Sequence, residues 1–246
     1  MMFKGVQALL FGAALCASSK FAFEEIWEGA TDIAQCVEVS PFISAVCDGT
    51  LDAHAFSKFM VQDLGCYLPG AMQVLQLVSN RAVTEHGANS TWAVYFQKMH
   101  SSYKRYAEEG MQGWNLGAVV PSKSCTNYVD FLRATAENQP LVQSAVAFAP
   151  CKLLWNWLGE QLKPCLQKTS AYKSFIEGMV SSSAKSKMAK IDDFLRAALE
   201  NDRNITMTTF RASMELEYMF FNSFVAGFQA PQTFACAPQS KVDVEL

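Results

Sequence analysis

Apolar residues recur at intervals of three and four along nearly the whole chain, the spacing that places them on one face of an α-helix. No stretch shows the two-residue alternation of β-branched and aromatic residues that is typical of strands. Half of the 246 residues are hydrophobic, which is enough for a substantial core. The pattern predicts an all-α protein that folds as a single domain, because no long linker, low-complexity tract or internal repeat divides it.

The same spacing indicates where helices begin and end. Ser40 followed by Pro41 is typical of an N-cap and a first helical residue, and Ser124 is a second N-cap candidate. Pro150 should bend the most apolar helix, and Leu68-Pro69-Gly70 should interrupt an earlier one. We expect about eight or nine helices, over about 21–36, 41–47, 51–78, 91–109, 124–138, 141–162, 172–180, 187–199 and 206–228.

Three of the apolar stripes contain one polar or nucleophilic residue each. Glu217, Asp63 and Cys151 occupy positions where a core side chain is expected. The stripes are Phe210, Met214, Glu217, Phe221 and Phe224; Phe56, Met60, Asp63 and Tyr67; and Cys151, Trp155, Leu158 and Leu162. Such groups on separate helices are typical of a pocket inside a helical bundle.

Each of these residues also has a plainer interpretation. A buried cysteine is more often a small hydrophobe than a nucleophile. Glu217 and Asp63 could be carboxylates that pair with a basic or hydroxyl group across the bundle, and Tyr128 could be a core residue whose hydroxyl bonds to a polar neighbour. Without a partner, a buried carboxyl has a raised pKa, which suits it to acid–base catalysis near neutral pH.

The N-terminus allows two interpretations. Lys4 precedes an uncharged run with the length and character of a signal-peptide core, so residues 1–18 are either a signal peptide or an N-terminal extension that begins a buried helix. If residues 1–17 are a signal peptide, the protein enters the secretory pathway or is extracellular; otherwise it is cytoplasmic. Removal of Cys16 would leave seven of the eight cysteines, so at least one would be unpaired, and Cys125 and Cys165 could pair or not. The helical domain would span 19–230, and 231–246 would be an irregular tail.

Composition argues against several partners. The net charge is −3 and no long basic block occurs, so nucleic acid is not expected as a partner, and no segment outside the N-terminus approaches the length of a membrane span. The three histidines, His54, His86 and His100, form no metal-ligand spacing with cysteine or glutamate. We therefore expect neither a metal nor another cofactor.

Several short motifs resemble the TenA family, also called thiaminase II. They are Phe42 to Leu51, Val61-Gln62-Asp63, Tyr128 to Leu132, Ala149-Pro150-Cys151 with Gly159-Glu160, and Leu216-Glu217-Tyr218 with Phe220-Phe221. The likeness extends over about 21–228. It implies a haem-oxygenase-like helical bundle without haem, a homotetramer, and a hydrolase of thiamin salvage. The implied substrates are aminomethyl-aminopyrimidine and thiamin, and the implied product is hydroxymethyl-pyrimidine.

The resemblance also assigns roles to residues. Cys151 matches the nucleophile, Glu217 the acid–base group, Asp63 the carboxylate that binds the pyrimidine, and Tyr128 a hydroxyl near the ring. Trp155 matches a stacking tyrosine.

Two positions depart from the family pattern. An aromatic wall residue is replaced by Cys66, with Tyr67 one position further on, and a third pocket tyrosine is replaced by Met179. Two functions compete with that of a hydrolase. One is a degenerate protein that binds thiamin or a pyrimidine without turnover. The other is a cofactorless oxidase like the related PqqC proteins, whose His- and Arg-rich site this chain lacks.

Overall fold

A computed structural model describes residues 21–111, 118–168, 171–182 and 188–236 of the chain. Those ranges contain helices and connecting turns but no β-strand. The α-helices are α1 (Ala22–Glu28), α2 (Thr31–Glu38), α3 (Pro41–Cys47), α4 (Ala53–Gln62), α5 (Leu68–His86), α6 (Thr91–Met111), α7 (Lys123–Asn138), α8 (Leu141–Gln161), α9 (Lys173–Ser182), α10 (Met188–Asn201) and α11 (Arg203–Asn222). A π turn, Asp63–Tyr67, joins α4 to α5, and a 3₁₀ helix, Lys163–Gln167, follows α8.

The all-α prediction is confirmed, and the structure corrects several boundaries. The helix expected over about 21–36 is two helices, α1 and α2, separated at Gly29 and Ala30. The break expected at Leu68-Pro69-Gly70 lies just before it, because Leu68 and Pro69 occupy the first turn of α5, where proline needs no backbone donor. The described helices also outnumber the eight or nine expected, since the sequence pattern did not resolve such short breaks.

The N-caps follow the sequence in one case and not in the other. Ser40 caps α3, its hydroxyl accepting a hydrogen bond from the Ile43 backbone at 3.4 Å, with Pro41 as the first helical residue. The cap of α7 is Ser122 rather than Ser124, because Ser122 is extended and its hydroxyl accepts from the Cys125 backbone at 3.2 Å. The Ser124 hydroxyl instead bonds to that of Ser223 at 2.8 Å.

The centre of the bundle is α8, which is apolar on all sides and mostly buried. It packs against α7, α9, α10 and α11, while α5 and α6 pack along each other. Pro150 lies inside α8 and cannot donate to the Val146 carbonyl one turn earlier, yet the helix continues to Gln161. The position of α8 puts one end of its stripe, Cys151 and Trp155, in reach of several other helices.

The ends of the chain are described only in part. The N-terminal segment whose role was left open, 1–18, lies outside the described residues, as do 237–246. Residues 231–236 are irregular. Within the described ranges, no helix combines the length and the apolar character that crossing a membrane would require.

Candidate functional site

The three unusual residues of the apolar stripes line one buried pocket. Asp63 comes from the π turn, Cys151 from α8 and Glu217 from α11. Six further residues complete the lining: Phe59, Tyr67, Tyr128, Trp155, Phe220 and Phe221. The remaining cavity has a volume of about 10 Å³. Helices far apart in sequence thus bring two carboxyls and a thiol together among aromatic rings.

The π turn explains how Tyr67 reaches this pocket. The Leu68 backbone donates to the Asp63 carbonyl, five residues earlier, so the turn holds about one residue more than an α-helical turn. The extra residue compensates for the one-position offset of Tyr67 seen in the sequence. The Tyr67 ring lies 4.9 Å from that of Tyr128 and 5.8 Å from that of Phe220, measured between centroids. Tyr67 therefore supplies an aromatic wall to the pocket.

Cys66, predicted to contact the substrate, does not line the pocket. It forms a disulfide with Cys125 of α7, with 6.4 Å between the two Cα atoms. Two further disulfides join Cys36 to Cys236 and Cys47 to Cys165. Cys151 is the one cysteine of the described residues that is free. The unpaired thiol among these residues is therefore the residue predicted to be the nucleophile.

Met179 also lies outside the set of lining residues. It is buried on α9, with 1% of its surface exposed. Trp155, by contrast, lines the pocket, and its ring lies 5.5 Å from those of Phe175 and Phe221. Of the eight residues predicted for the site, the structure brings together six and leaves out Cys66 and Met179. Their roles stay predictions.

The Glu217 carboxylate has a hydroxyl partner. Tyr128 of α7 donates to its Oε1 at 2.7 Å, and the Tyr128 and Ser213 hydroxyls are 3.2 Å apart. Ser213 donates in turn to the Ala147 carbonyl of α8 at 2.7 Å. Burial raises the pKa of Glu217 to about 7, the Tyr128 hydrogen bond partly opposes this, and the charge of Asp63 adds to it. Glu217 is thus fixed in place and titrates near neutral pH.

The other two groups are also shifted by burial. Asp63 is buried, with 7% of its surface exposed. Its pKa is raised to about 7 because the carboxylate loses its hydration. Burial raises the pKa of the Cys151 thiol well above its ordinary value, and the nearby Glu217 charge raises it further. A hydrogen bond with the Tyr103 hydroxyl acts in the opposite direction. Cys151 is therefore a thiol at rest and needs a base to become a nucleophile, which Glu217 can supply.

Sequence reasoning missed Tyr103, whose hydroxyl reaches the thiol from α6. A signal was present, because Phe96, Met99, Tyr103 and Ala107 share one face at helical spacing. The face itself does not reveal which neighbouring helix it meets. Throughout the described part of the chain, this pocket included, no group of three or more His, Cys, Asp or Glu side chains is placed to hold a metal ion.

Replacing Tyr128 by phenylalanine should raise the pKa of Glu217 further, because its carboxylate loses a hydrogen bond that favours the charged form. A bond to a charged group is worth about 1.5 kcal/mol or more, which corresponds to about one pKa unit. The pH dependence of the melting temperature, or of turnover, should shift upward by that amount. Tyr218→Phe is the matched control: Tyr218 lies next to Glu217 in sequence, but its ring packs on Phe228 and Phe234. An equal shift in both variants would contradict the assignment.

Curated and solved relatives resemble the chain over most of its length. The thiamine biosynthesis multifunctional protein ThiED of Corynebacterium efficiens is 24% identical over 206 residues, which are 80% of this chain and 27% of that protein. The chain thus spans about a quarter of the length of that curated relative.

Among solved structures, a TenA homologue from P. horikoshii OT3 matches with a TM-score of 0.68 at 16% identity, covering 83% of this chain and 98% of the other. A TenA family transcription regulator from Silicibacter sp. TM1040 gives the same TM-score and identity, with 83% and 96% covered. These matches confirm the haem-oxygenase-like helical fold. The model of the TENA/THI-4/PQQC family matches residues 27–226, so the chain belongs to this family.

Proposed function

We propose that this protein hydrolyses an aminopyrimidine at its exocyclic methylene, with aminomethyl-aminopyrimidine as substrate, and thiamin as a second one. The product is hydroxymethyl-pyrimidine, as in thiamin salvage. The observation that carries the proposal is the meeting of Cys151, Glu217 and Asp63 in one buried aromatic pocket. The name of the C. efficiens relative, a thiamine biosynthesis protein, supports a thiamin-related role.

The chemistry begins with the thiol. Glu217 accepts the Cys151 proton, and the thiolate adds to a carbon of the pyrimidine ring. Glu217 then protonates the amino group on the methylene, which leaves as ammonia when the substrate is the aminomethyl compound. Water adds to the electrophilic methylene, its proton passes to Glu217, and loss of the thiolate restores the aromatic ring. Glu217 then returns this proton to the Cys151 thiolate, which restores the resting thiol. The sum is one water consumed and one amine released.

Asp63 is suited to hold the ring during these steps. With a pKa of about 7, its carboxyl is often protonated at neutral pH and can donate to a ring nitrogen while accepting from the adjacent amino group. Tyr67 and Trp155 face the same space and offer flat aromatic surfaces. A planar heterocycle with an amidine edge fits this combination better than an aliphatic substrate would.

The competing function is binding of thiamin or a pyrimidine without turnover. The departures from the family pattern at Cys66 and Met179 support it. The cavity of about 10 Å³ bears equally on both functions, because a pyrimidine ring requires side chains to move before it can enter. Trp155 is only partly buried, so among the aromatic lining residues it is the one best placed to move and make room. A homotetramer stays a prediction that follows from the family resemblance.

Turnover separates the two functions. Wild-type protein incubated with aminomethyl-aminopyrimidine, and separately with thiamin, should release hydroxymethyl-pyrimidine detectable by mass spectrometry. Calorimetry with the same two compounds measures binding independently. If either compound binds but neither gives product, the enzyme proposal is wrong and the binding function remains.

The cysteines bear on the compartment. Six of the seven described cysteines are paired, and each disulfide joins segments 59 to 200 residues apart. Such bonds persist in oxidising compartments and are rare in the cytosol. They support the secretory interpretation of the N-terminus over the cytoplasmic one. Peptide mapping without reductant tests this, since free thiols at all six positions in protein from its natural source would contradict it.

A further inference from the structure

We propose that the disulfide Cys66–Cys125 positions the pocket residues, so that its loss disturbs the site more than the fold. This inference rests on the proposed function, because the disulfide is proposed to hold the reacting and binding groups of that site in position. Neither cysteine lines the pocket. Both act through the residues beside them in sequence.

The bond joins the two elements that carry one side of the pocket. On the π turn, Cys66 directly precedes Tyr67 and follows Asp63 by three residues. On α7, Cys125 lies three residues, less than one helical turn, before Tyr128. The ring contact between Tyr67 and Tyr128, 4.9 Å between centroids, therefore lies beside the disulfide. Separating the π turn from α7 would move Tyr67 and Asp63 away from the Tyr128–Glu217 pair.

The π turn needs such an attachment for physical reasons. Asp63 is buried, and its raised pKa means that the ionised form is disfavoured in that place. Above neutral pH, movement of the ionised carboxylate from the pocket into water would be favourable. A covalent bond one turn from Asp63 resists this movement without adding a charge to the pocket.

The other two disulfides do not have this arrangement. Cys36 and Cys236 join α2 to the C-terminal segment, and Cys47 joins the end of α3 to Cys165 of the 3₁₀ helix. None of the pocket-lining residues lies on α2, α3 or the 3₁₀ helix. Both bonds close longer stretches of chain than Cys66–Cys125 does, 200 and 118 residues against 59. By chain entropy they should contribute at least as much to stability.

The experiment compares two double variants, Cys66→Ala with Cys125→Ala, and Cys47→Ala with Cys165→Ala as the matched control. Each is assayed for kcat and KM, for melting temperature, and for the rate at which iodoacetamide alkylates Cys151, mapped by peptide mass. The pocket variant should lose about tenfold or more in kcat/KM and show faster Cys151 alkylation, because small displacements of positioned groups are costly. In the control variant, kcat/KM and the rate of Cys151 alkylation should stay within about twofold of the wild-type values. Its melting temperature should fall at least as far as that of the pocket variant.

Equal changes in the two variants would overturn the proposal, as would free thiols at Cys66 and Cys125 in the oxidised native protein. If the alanine pair does not fold, wild-type protein is titrated with dithiothreitol, which gives two electrons and two protons to the bond and becomes a cyclic disulfide. Loss of activity should then follow the fraction of Cys66 found reduced, rather than that of Cys47. Should no turnover be found at all, the proposed function fails, yet the alkylation rate of Cys151 still tests the positioning role.

Discussion

Changing Cys151 to serine should lower kcat by about a thousandfold or more while leaving pyrimidine binding nearly intact. A hydroxyl is close to a thiol in size, so the pocket lining should keep its shape. Its proton is far harder to remove than that of a thiol, and an alkoxide is a poor leaving group from the ring. Glu217, with a pKa of about 7, removes a proton from a thiol at a smaller free-energy cost than from an alcohol, because the thiol is the stronger acid in the same surroundings.

The measurement is single-turnover kinetics with aminomethyl-aminopyrimidine, alongside calorimetric binding and the melting temperature. Cys151→Ala serves as the control that removes the hydroxyl as well, and it should be as inactive as the serine variant. Product formed at the wild-type rate by either variant would remove the nucleophile assignment, although hydrolysis by another route would stand. Loss of binding together with loss of turnover would show that the residue matters for packing rather than for reaction.

The sequence predicts this site well where one residue interrupts a regular stripe. Glu217 lies among Phe210, Met214 and Phe221, which are 1% exposed or less, so its own burial follows from helical spacing alone. The same reasoning holds for Cys151 on the most apolar helix. Periodicity gives the face of each helix, and a polar residue on a buried face has to meet something. That these faces meet each other came from the family resemblance.

The features that the sequence did not predict are those that depend on contacts between helices. A π turn inserts one residue into the helical repeat at Cys66 and Tyr67, and a helical pattern read at constant period does not show it. Cysteine spacing gives no connectivity, so Cys66 could not be paired with Cys125 in advance. Tyr103 approaches the thiol from α6. That helix is rich in polar residues, so its sequence does not indicate that one of its tyrosines lies beside a buried thiol.

Changing Glu217 to glutamine should lower kcat by about a hundredfold to ten-thousandfold, because the amide cannot carry protons between the thiol, the leaving amine and water. The same change should make the protein more stable at alkaline pH. The folded-state pKa, about 7, lies above the ordinary 4.5, so between these values the unfolded chain releases a proton that the folded protein retains. Ionisation of Glu217 therefore lowers the free energy of unfolding by about 3 kcal/mol as pH rises through this window. Glutamine has no charge to bury and is exempt from that loss. Asp63, whose pKa is also raised to about 7, lowers the free energy of unfolding further in both proteins.

Melting temperatures of both proteins, taken from about pH 4 to about pH 8, measure the effect. At the acid end the two should nearly agree, because glutamine resembles the protonated acid in shape. At the alkaline end the variant should be the more stable. Glu215→Gln is the matched control on the same helix: its side chain is 43% exposed, beside Arg211 at 3.6 Å, and its removal should change neither turnover nor the pH dependence. A Glu217→Gln protein whose stability falls with pH as the wild type does would mean that the carboxyl is ionised and satisfied at neutral pH. Glu217 could then act as a base but not as the proton donor to the leaving amine.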